Sequence, residues 1–441
     1  MKALCVVSCP IDTFSGYGAR SRDFVKALIQ LKDKEWDIKI MPQRWGDCPW
    51  NYLSQDDPLR QRFILNLDNR PDIWIQITVP NEFQPVGTKF NIGITAGIET
   101  TVFPGDFLQG MNRMDLNLVS SKHSKDVAFN TTFDAIDKNT KQKTGVLKLE
   151  KPCEILFEGL DLDKYYKKPN TSNILNNISE EFCFLFTGHW LPGVYGEDRK
   201  NVGLMIKTFL ETFNGPSKKK PALILKTNQM NYSLLDREEI LTKINSIRTK
   251  IKGNLPNIYL LHGEMTDEEI NKLNNDPKVK AFISFTKGEG FGRPLLEGAI
   301  TGKPTITSHW SGHIDFLKPD YNILIGGDLK PVHESAANQW LLKESQWFNI
   351  NTEIASKAMK DVYKHYKKYW ESSRKQTQYL KDNWAFNNMI EKLGTFLPKV
   401  EAPPQHVDLN LPKINLDKMS KDDPWIQNQK TDLPKLKKIE A

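Results

Sequence analysis

The sequence predicts an α/β protein made of two open units in tandem, facing a central cleft. Two observations carry this: short, continuous apolar runs alternate with helical patterns, and the alternation starts again after a polar interruption near residue 170. Runs that are apolar at every position suit parallel strands covered on both faces. Size and composition bound the reading. A chain of 441 residues exceeds what one core organises, and 39% hydrophobic with 26% charged residues excludes a disordered or fibrous chain.

The elements follow in order. Ala3 to Ser8 predicts the first strand, Gly16-Tyr17-Gly18 a loop, and Ala19 to Leu31 a helix. Ile73 to Ile77, Phe90 to Ile94 and Leu116 to Val119 continue the strands of a first unit, residues 1–170. From Lys167 to Glu180 the composition turns to Lys, Pro, Asn, Ser and Thr, which predicts a linker (171–181) that buries no core. The second unit, 182–370, opens with the strand Phe182 to Phe186 and the amphipathic helix Val202 to Phe213. Strands at Ala222 to Leu225, Ile258 to Leu261, Ala281 to Phe285 and Pro304 to Thr307 follow. Thr352 to Leu397 is helical throughout, and 371–398 is expected to form a C-terminal helix packing back on the first unit. The tail, 399–441, contains Ala402-Pro403-Pro404 and Trp425-Ile426 and has no period, so an extended segment is expected. Ligands of open α/β units bind at the carboxyl ends of the strands, which directs attention to the cleft.

Several function classes drop out. Lys plus Arg is 61 against 54 for Asp plus Glu, and a net +7 without a concentrated basic block makes a nucleic-acid partner unlikely. Cys5, Cys9, Cys48, Cys153 and Cys183 form no CxxC pair, which favours reduced, buried thiols in a cytoplasmic protein. The eight histidines include no HExxH, and Asp161-Leu162-Asp163 is too short a pattern to predict a metal, so no metal or cofactor is expected. No run of about 18 apolar residues predicts a membrane span. The helix Ala19 to Leu31, with Arg20, Arg22 and Lys26, is a weak candidate for peripheral membrane contact.

The most informative stretch is Lys287-Gly288-Glu289-Gly290-Phe291-Gly292-Arg293-Pro294-Leu295-Leu296-Glu297-Gly298, directly after a predicted strand. Its glycines allow close backbone approach, and Pro294 suits the first turn of a helix, where its missing N–H costs nothing. Free amides at that helix start suit a phosphate or diphosphate. Glu289 lies on the loop, and Glu297, about one turn into the helix, can accept hydrogen bonds from a ribose diol. The bland alternative is a strand–turn–helix whose glycines serve only the turn.

Glu289 and Glu297 within EGFGRPLLEGA resemble the paired-glutamate motif of retaining nucleotide-sugar glycosyltransferases of the two-Rossmann B-type fold (GT-B), most closely family four. The resemblance extends in order along the chain. It includes Val119-Ser120-Ser121-Lys122-His123-Ser124, Ile155 to Asp161, Phe184-Leu185-Phe186-Thr187-Gly188 with Arg199-Lys200-Asn201, Leu225-Lys226, and Tyr259 to Met265. It implies a metal-independent hexosyltransferase that takes a nucleotide-diphosphate sugar and a hydroxyl acceptor, such as a glycan, a lipid-linked sugar, a protein or a small molecule. The roles it implies are catalytic for Glu289, Lys200 and Arg199. For donor binding it implies Glu297, Gly290, Phe291, Gly292, Arg293, Leu295, Lys226, Gly16, Gly18, Gly188, His189, Gly263 and Met265.

Two departures stand out: His189 where many relatives carry Arg, and Asp315 where they more often carry Glu. His123 and Glu99 are candidates for sugar or acceptor contact, while Trp45, Trp50 and Tyr52 are better read as loop packing. The rival readings are a glucosyltransferase acting on DNA bases, as in some viral members of the fold, and a catalytically inert nucleotide-sugar-binding scaffold.

Overall fold

A computed structural model describes residues 2–137, 139–169, 174–229 and 231–400. The tail features Ala402-Pro403-Pro404, Trp425 and Ile426 lie outside the described residues.

Strand β1 (Ala3–Cys9) leads into helix α1 (Gly16–Lys32), then β2 (Trp36–Pro42), β3 (Ile73–Ile77) and β4 (Phe90–Ile94). Helix α2 (Gly105–Asn112), β5 (Leu116–Val119) and α3 (Lys122–Asn130) follow, then the antiparallel hairpin β6 (Phe133–Ile136) and β7 (Lys143–Leu147), and β8 (Cys153–Ile155). The first sheet has the order β2-β1-β3-β4-β5-β8, and every pairing is parallel. Its central strands carry no exposed residue, as the continuous apolar runs require.

The second sheet collects β9 (Cys183–Thr187), β10 (Ala222–Lys226), β11 (Ile258–Leu261), β12 (Val279–Ser284), β13 (Thr305–Ser308) and β14 (Ile323–Ile325). Its order is β11-β10-β9-β12-β13-β14, again all parallel. Helices α4 (Val202–Thr212), α5 (Leu234–Arg248), α6 (Asp267–Asn275) and α7 (Arg293–Ala299) connect its strands. A second hairpin, β15 (Gly327–Pro331) with β16 (Gln346–Ile350), is inserted before α8 (Thr352–Lys364), α9 (Tyr366–Asn383) and α10 (Phe386–Phe396). In each sheet the chain reverses direction beside its first strand, between β1 and β3 and between β9 and β12. Those two switch points open crevices at the carboxyl ends of the strands.

Three expectations need correction. Gly16-Tyr17-Gly18 is the first turn of α1 and not a loop before it: the Ser15 hydroxyl caps the Gly18 amide at 2.9 Å, which is enough to start the helix despite two glycines. The polar segment after residue 167 does bury core, because Leu175 and Ile178 pack beneath β9 and β10 with Cys183 and Leu185. Helix α1 is not a membrane-surface helix. Arg20 and Arg22 are buried, Arg20 facing Glu158 at 3.4 Å and Arg22 donating to the Ile11 and Thr13 carbonyls. The C-terminal helical stretch is three helices, and the last break falls at Trp384. There α10 lies along α1, and Leu160 and Ala385 form a parallel bridge, so Met389, Ile390 and Leu393 share a core with β1 and β3. Four of the five cysteines are buried; Cys48 is half-buried at the cleft.

Candidate functional site

A cavity of ≈ 700 Å³ lies between the two sheets, lined from both halves. The first half contributes the turn at Ser15 to Tyr17, Trp45 and the segment Ala96 to Glu99. The second contributes the ends of β9 and β10, Arg199 and Lys200, and the segment Glu289 to Pro294 with Glu297.

Of the residues singled out from sequence, Glu289, Lys200, Arg199, Glu297, Gly290, Phe291, Gly292, Arg293, Lys226, Gly16, Gly188, His189, Met265 and Glu99 all line this cavity. Four do not. Gly18 is buried beneath Thr13, Leu295 joins the core between α7 and the first sheet, and Gly263 takes part only by accepting a hydrogen bond from Lys226 at 2.6 Å. His123 sits at the seam between the halves, edge-on to Trp310 with ring centroids 4.6 Å apart. Burial first, then His313, brings its imidazole down to about 4.

The glycines of the motif fit because the first half approaches so closely. A Cβ on Gly288 would meet the Glu99 carbonyl oxygen at 2.0 Å, and one on Gly290 would meet that of Ala96 at 2.3 Å. The single Ser120 hydroxyl proton lies between the Ala96 carbonyl (2.6 Å) and the Gly290 carbonyl (3.1 Å), bridging the two halves. Gly292, at φ +99°, makes the sharp turn into α7 that a side chain would strain.

Two charge clusters result. At the first, Glu289 is bonded by Lys200 and lies 3.3 Å from Arg199, which also faces Glu99 of the first half at 3.3 Å. Burial alone would raise the Glu289 carboxyl, but the Lys200 and Arg199 charges outweigh it and hold the group down to about 2. Burial depresses Lys200 despite its partner. The neighbouring His189 is brought down to about 4 by burial and by Lys200, Arg199 and Lys226, so a neutral imidazole stands among three cations. Lys226 itself lies 5.3 Å from the Tyr232 ring centroid.

At the second cluster, Arg293 Nε donates to Glu297 at 2.8 Å while its Nη1 reaches two first-half carboxylates, Asp23 at 2.7 Å and Glu158 at 3.5 Å. One guanidinium thus serves three acids. Burial opposes the charge on Arg293, but Asp23, Glu297 and Glu158 together hold it firmly protonated. Glu297 is raised to about 7, first by burial and then by Asp267 and Asp23, because its single cation is shared.

The sequence reading missed the cross-cleft partners Asp23 and Glu158 and the residues Tyr17, Tyr232, Trp340 and Leu341. Tyr17 and Trp45 pack ring against ring, tilted by 31° with centroids 4.2 Å apart, on the first-half wall, so Trp45 belongs to the cleft rather than to loop packing. Tyr52 joins Lys164 and Tyr165 in binding Asp267 of the second half. Asp315 accepts from the Lys122 amide at 2.7 Å across the seam. Among the described residues, no three side chains of His, Cys, Asp and Glu gather as metal ligands.

The chain matches no protein-family model. Over 172 residues it is 26% identical to an uncharacterized glycosyltransferase of Methanocaldococcus jannaschii, which covers 38% of this chain and 45% of that protein. The chain therefore aligns with less than half the length of that curated relative. Anabaena HepE in complex with UDP and glucose superposes with a TM-score of 0.55 at 11% identity, over 89% of this chain and 99% of that one. Sucrose-phosphate synthase from Thermosynechococcus elongatus gives 0.56 at 9% identity, over 90% and 98%. With its two parallel six-stranded sheets and the cleft between them, the chain has the two-Rossmann B-type fold of these glycosyltransferases.

Proposed function

We propose that this chain is a retaining glycosyltransferase that moves a sugar from a nucleotide-diphosphate donor to a hydroxyl acceptor. The observation that carries the reading is the convergence of Lys200, Arg199 and Lys226 with Glu289 in one cavity, at the carboxyl ends of the switch-point strands. Three cations, Lys200 and Lys226 buried and Arg199 half-buried, suit a diphosphate, and they are fixed in place before it arrives. That supports a reaction in which no metal is needed to neutralise the leaving group. The structures of Anabaena HepE with UDP and with UDP-glucose favour a uridine donor as the first to try.

In the proposed reaction the bond between the anomeric carbon and the β-phosphate oxygen breaks. The acceptor oxygen bonds to that carbon on the same face, and the acceptor proton passes to the departing phosphate. Glycoside and nucleoside diphosphate are the products. Lys200 and Arg199 neutralise charge growing on the phosphate. Glu289, ionised at any physiological pH, faces the positive charge growing at the anomeric centre. Glu297 takes the ribose hydroxyls. The protein acts as a cytoplasmic enzyme in this reading, and no described helix is long and apolar enough to cross a membrane.

Thermal stabilisation by UDP-, GDP-, ADP- and CMP-sugars tests this, with Lys200→Ala and Glu297→Ala alongside. A ligand at 100 times its dissociation constant adds about 2.7 kcal/mol. A shift selective for one nucleotide and lost in both variants is the expected result; no shift with any donor overturns the reading.

A further inference from the structure

The inserted hairpin β15–β16 has no role in the donor scheme, yet its connecting loop forms part of the cavity wall. Trp340 and Leu341 face the same space as Glu289, and Trp340 keeps 38% of its surface exposed. An exposed indole at a cleft is costly unless something covers it, because it is among the largest apolar surfaces a side chain offers.

The backbone that carries this indole is held in place by the loop's own hydrogen bonds. Asn338 Oδ1 accepts from the Trp340 amide at 2.8 Å and the Leu341 amide at 2.9 Å, and the Asn338 amide donates to the Leu341 carbonyl at 3.0 Å. Trp347, fully buried, anchors the turn on Val332 and Ala336. Three braces then fix the hairpin to its surroundings. Ser335 Oγ accepts from Val194 at 3.0 Å, in the loop that leads to Arg199 and Lys200. The Gln346 carbonyl accepts from the Thr101 amide of the first half (3.0 Å), and the Gln346 amide donates to Thr101 Oγ1 (2.9 Å). Lys287, with no exposed surface, bonds Asn349 at 2.6 Å and Glu197 at 2.9 Å, and its carbonyl accepts from Phe348. The hairpin is thereby tied to the residue two positions before Glu289.

We propose that this loop is an acceptor subsite in which the Trp340 indole carries a pyranose ring. The proposal rests on the glycosyltransferase reading above and names the acceptor class: a carbohydrate. The indole is preceded by the exposed polar residues Asn338 and Gln339 and followed by the half-buried Leu341 and Leu342. A flat apolar face beside polar side chains matches a sugar ring, whose C–H face packs on an aromatic while its hydroxyls find polar partners. Pre-fixing the loop backbone reduces the ordering cost that a mobile loop would otherwise add to binding.

The test is saturation-transfer NMR on the full chain charged with the nucleotide that stabilises it most. The probes are glucose, galactose, mannose, N-acetylglucosamine, maltose, cellobiose and lactose, against wild type, Trp340→Ala and Trp340→Phe. At least one saccharide should bind wild type. Trp340→Ala should weaken it about tenfold, and Trp340→Phe should keep most of the affinity. Melting temperature and the nucleotide-induced shift should be unchanged in both variants. If no saccharide binds wild type, or if binding survives Trp340→Ala, the acceptor subsite is overturned while the donor reading stands. If wild type shows no nucleotide shift, the donor reading fails and takes the subsite with it.

Discussion

Glu289 and Glu297 belong to one motif, are almost equally buried at 8% and 10% side-chain exposure, and each bonds a cation; yet one is held at about 2 and the other raised to about 7. Burial pushes both up by the same mechanism, so the difference lies in the ratio of charges. Glu289 has two cations and shares only Arg199, with Glu99. Glu297 has one cation and shares it with Asp23 and Glu158. A salt bridge on a distance list says little about the state of its acid until the other claimants on the cation are counted.

The largest expected effect comes from breaking the richer cluster. Lys200→Met leaves Glu289 buried beside a single shared arginine and should cost about 3 kcal/mol in thermal unfolding. In a transfer assay the same variant should lose about a hundredfold or more in turnover. Glu297→Gln should behave differently. Nucleotide affinity should fall about tenfold by titration calorimetry with loss of the ribose contact, while the melting temperature at pH 8 holds or rises. If Glu297→Gln destabilises as much as Lys200→Met, the contrast between the two clusters is wrong.

Acidity sharpens the comparison further. Because the folded pKa of Glu297 lies above its ordinary value of 4.5, the folded state binds more protons than the unfolded one between about 4.5 and 7. Its contribution therefore declines as pH rises through that window. Wild type should lose on the order of 2 to 3 kcal/mol between pH 5 and pH 8 that Glu297→Gln keeps, read from denaturant melts. Glu289 has the opposite sign: the stability it gives is present above 4.5 and disappears as pH falls towards 2. The smallest effect is that of Asp23→Asn, which frees Arg293 for Glu297 and should move the upper step to lower pH. A step that stays near 7 in that variant would leave burial and Asp267 as its causes.

The sequence made the two sheets and the paired-glutamate loop readable because each has a local signature. Unbroken apolar runs mark Ile73 to Ile77 and Ala222 to Leu225, and three glycines mark Gly288 to Gly292. The hairpins were not readable. Every residue of β15, Gly327 to Pro331, is exposed, so no apolar period distinguishes it from a loop. Leu175 and Ile178 were lost for the opposite reason: isolated apolar residues in a polar stretch give no periodic signal, although a single turn is enough to bury them. The contacts of Arg293 with Asp23 and Glu158 join positions 270 and 135 residues apart, and only the closed geometry of the two halves brings them together. The same holds for Arg199 and Glu99.

The closeness of Gly288 and Gly290 to the carbonyls of Glu99 and Ala96 restricts how this chain can be recombined with its relatives. The two glycines lie in the second half, but the space that forbids a side chain there is set by the backbone of the first. A chimera that grafts a foreign first half onto this second half must reproduce the path of residues 96–99 to within a few tenths of an ångström. Otherwise it gains either a steric clash or a gap beneath the loop that carries Glu289. Shuffling the halves to exchange acceptors should therefore succeed only when that short segment travels with the glycine loop.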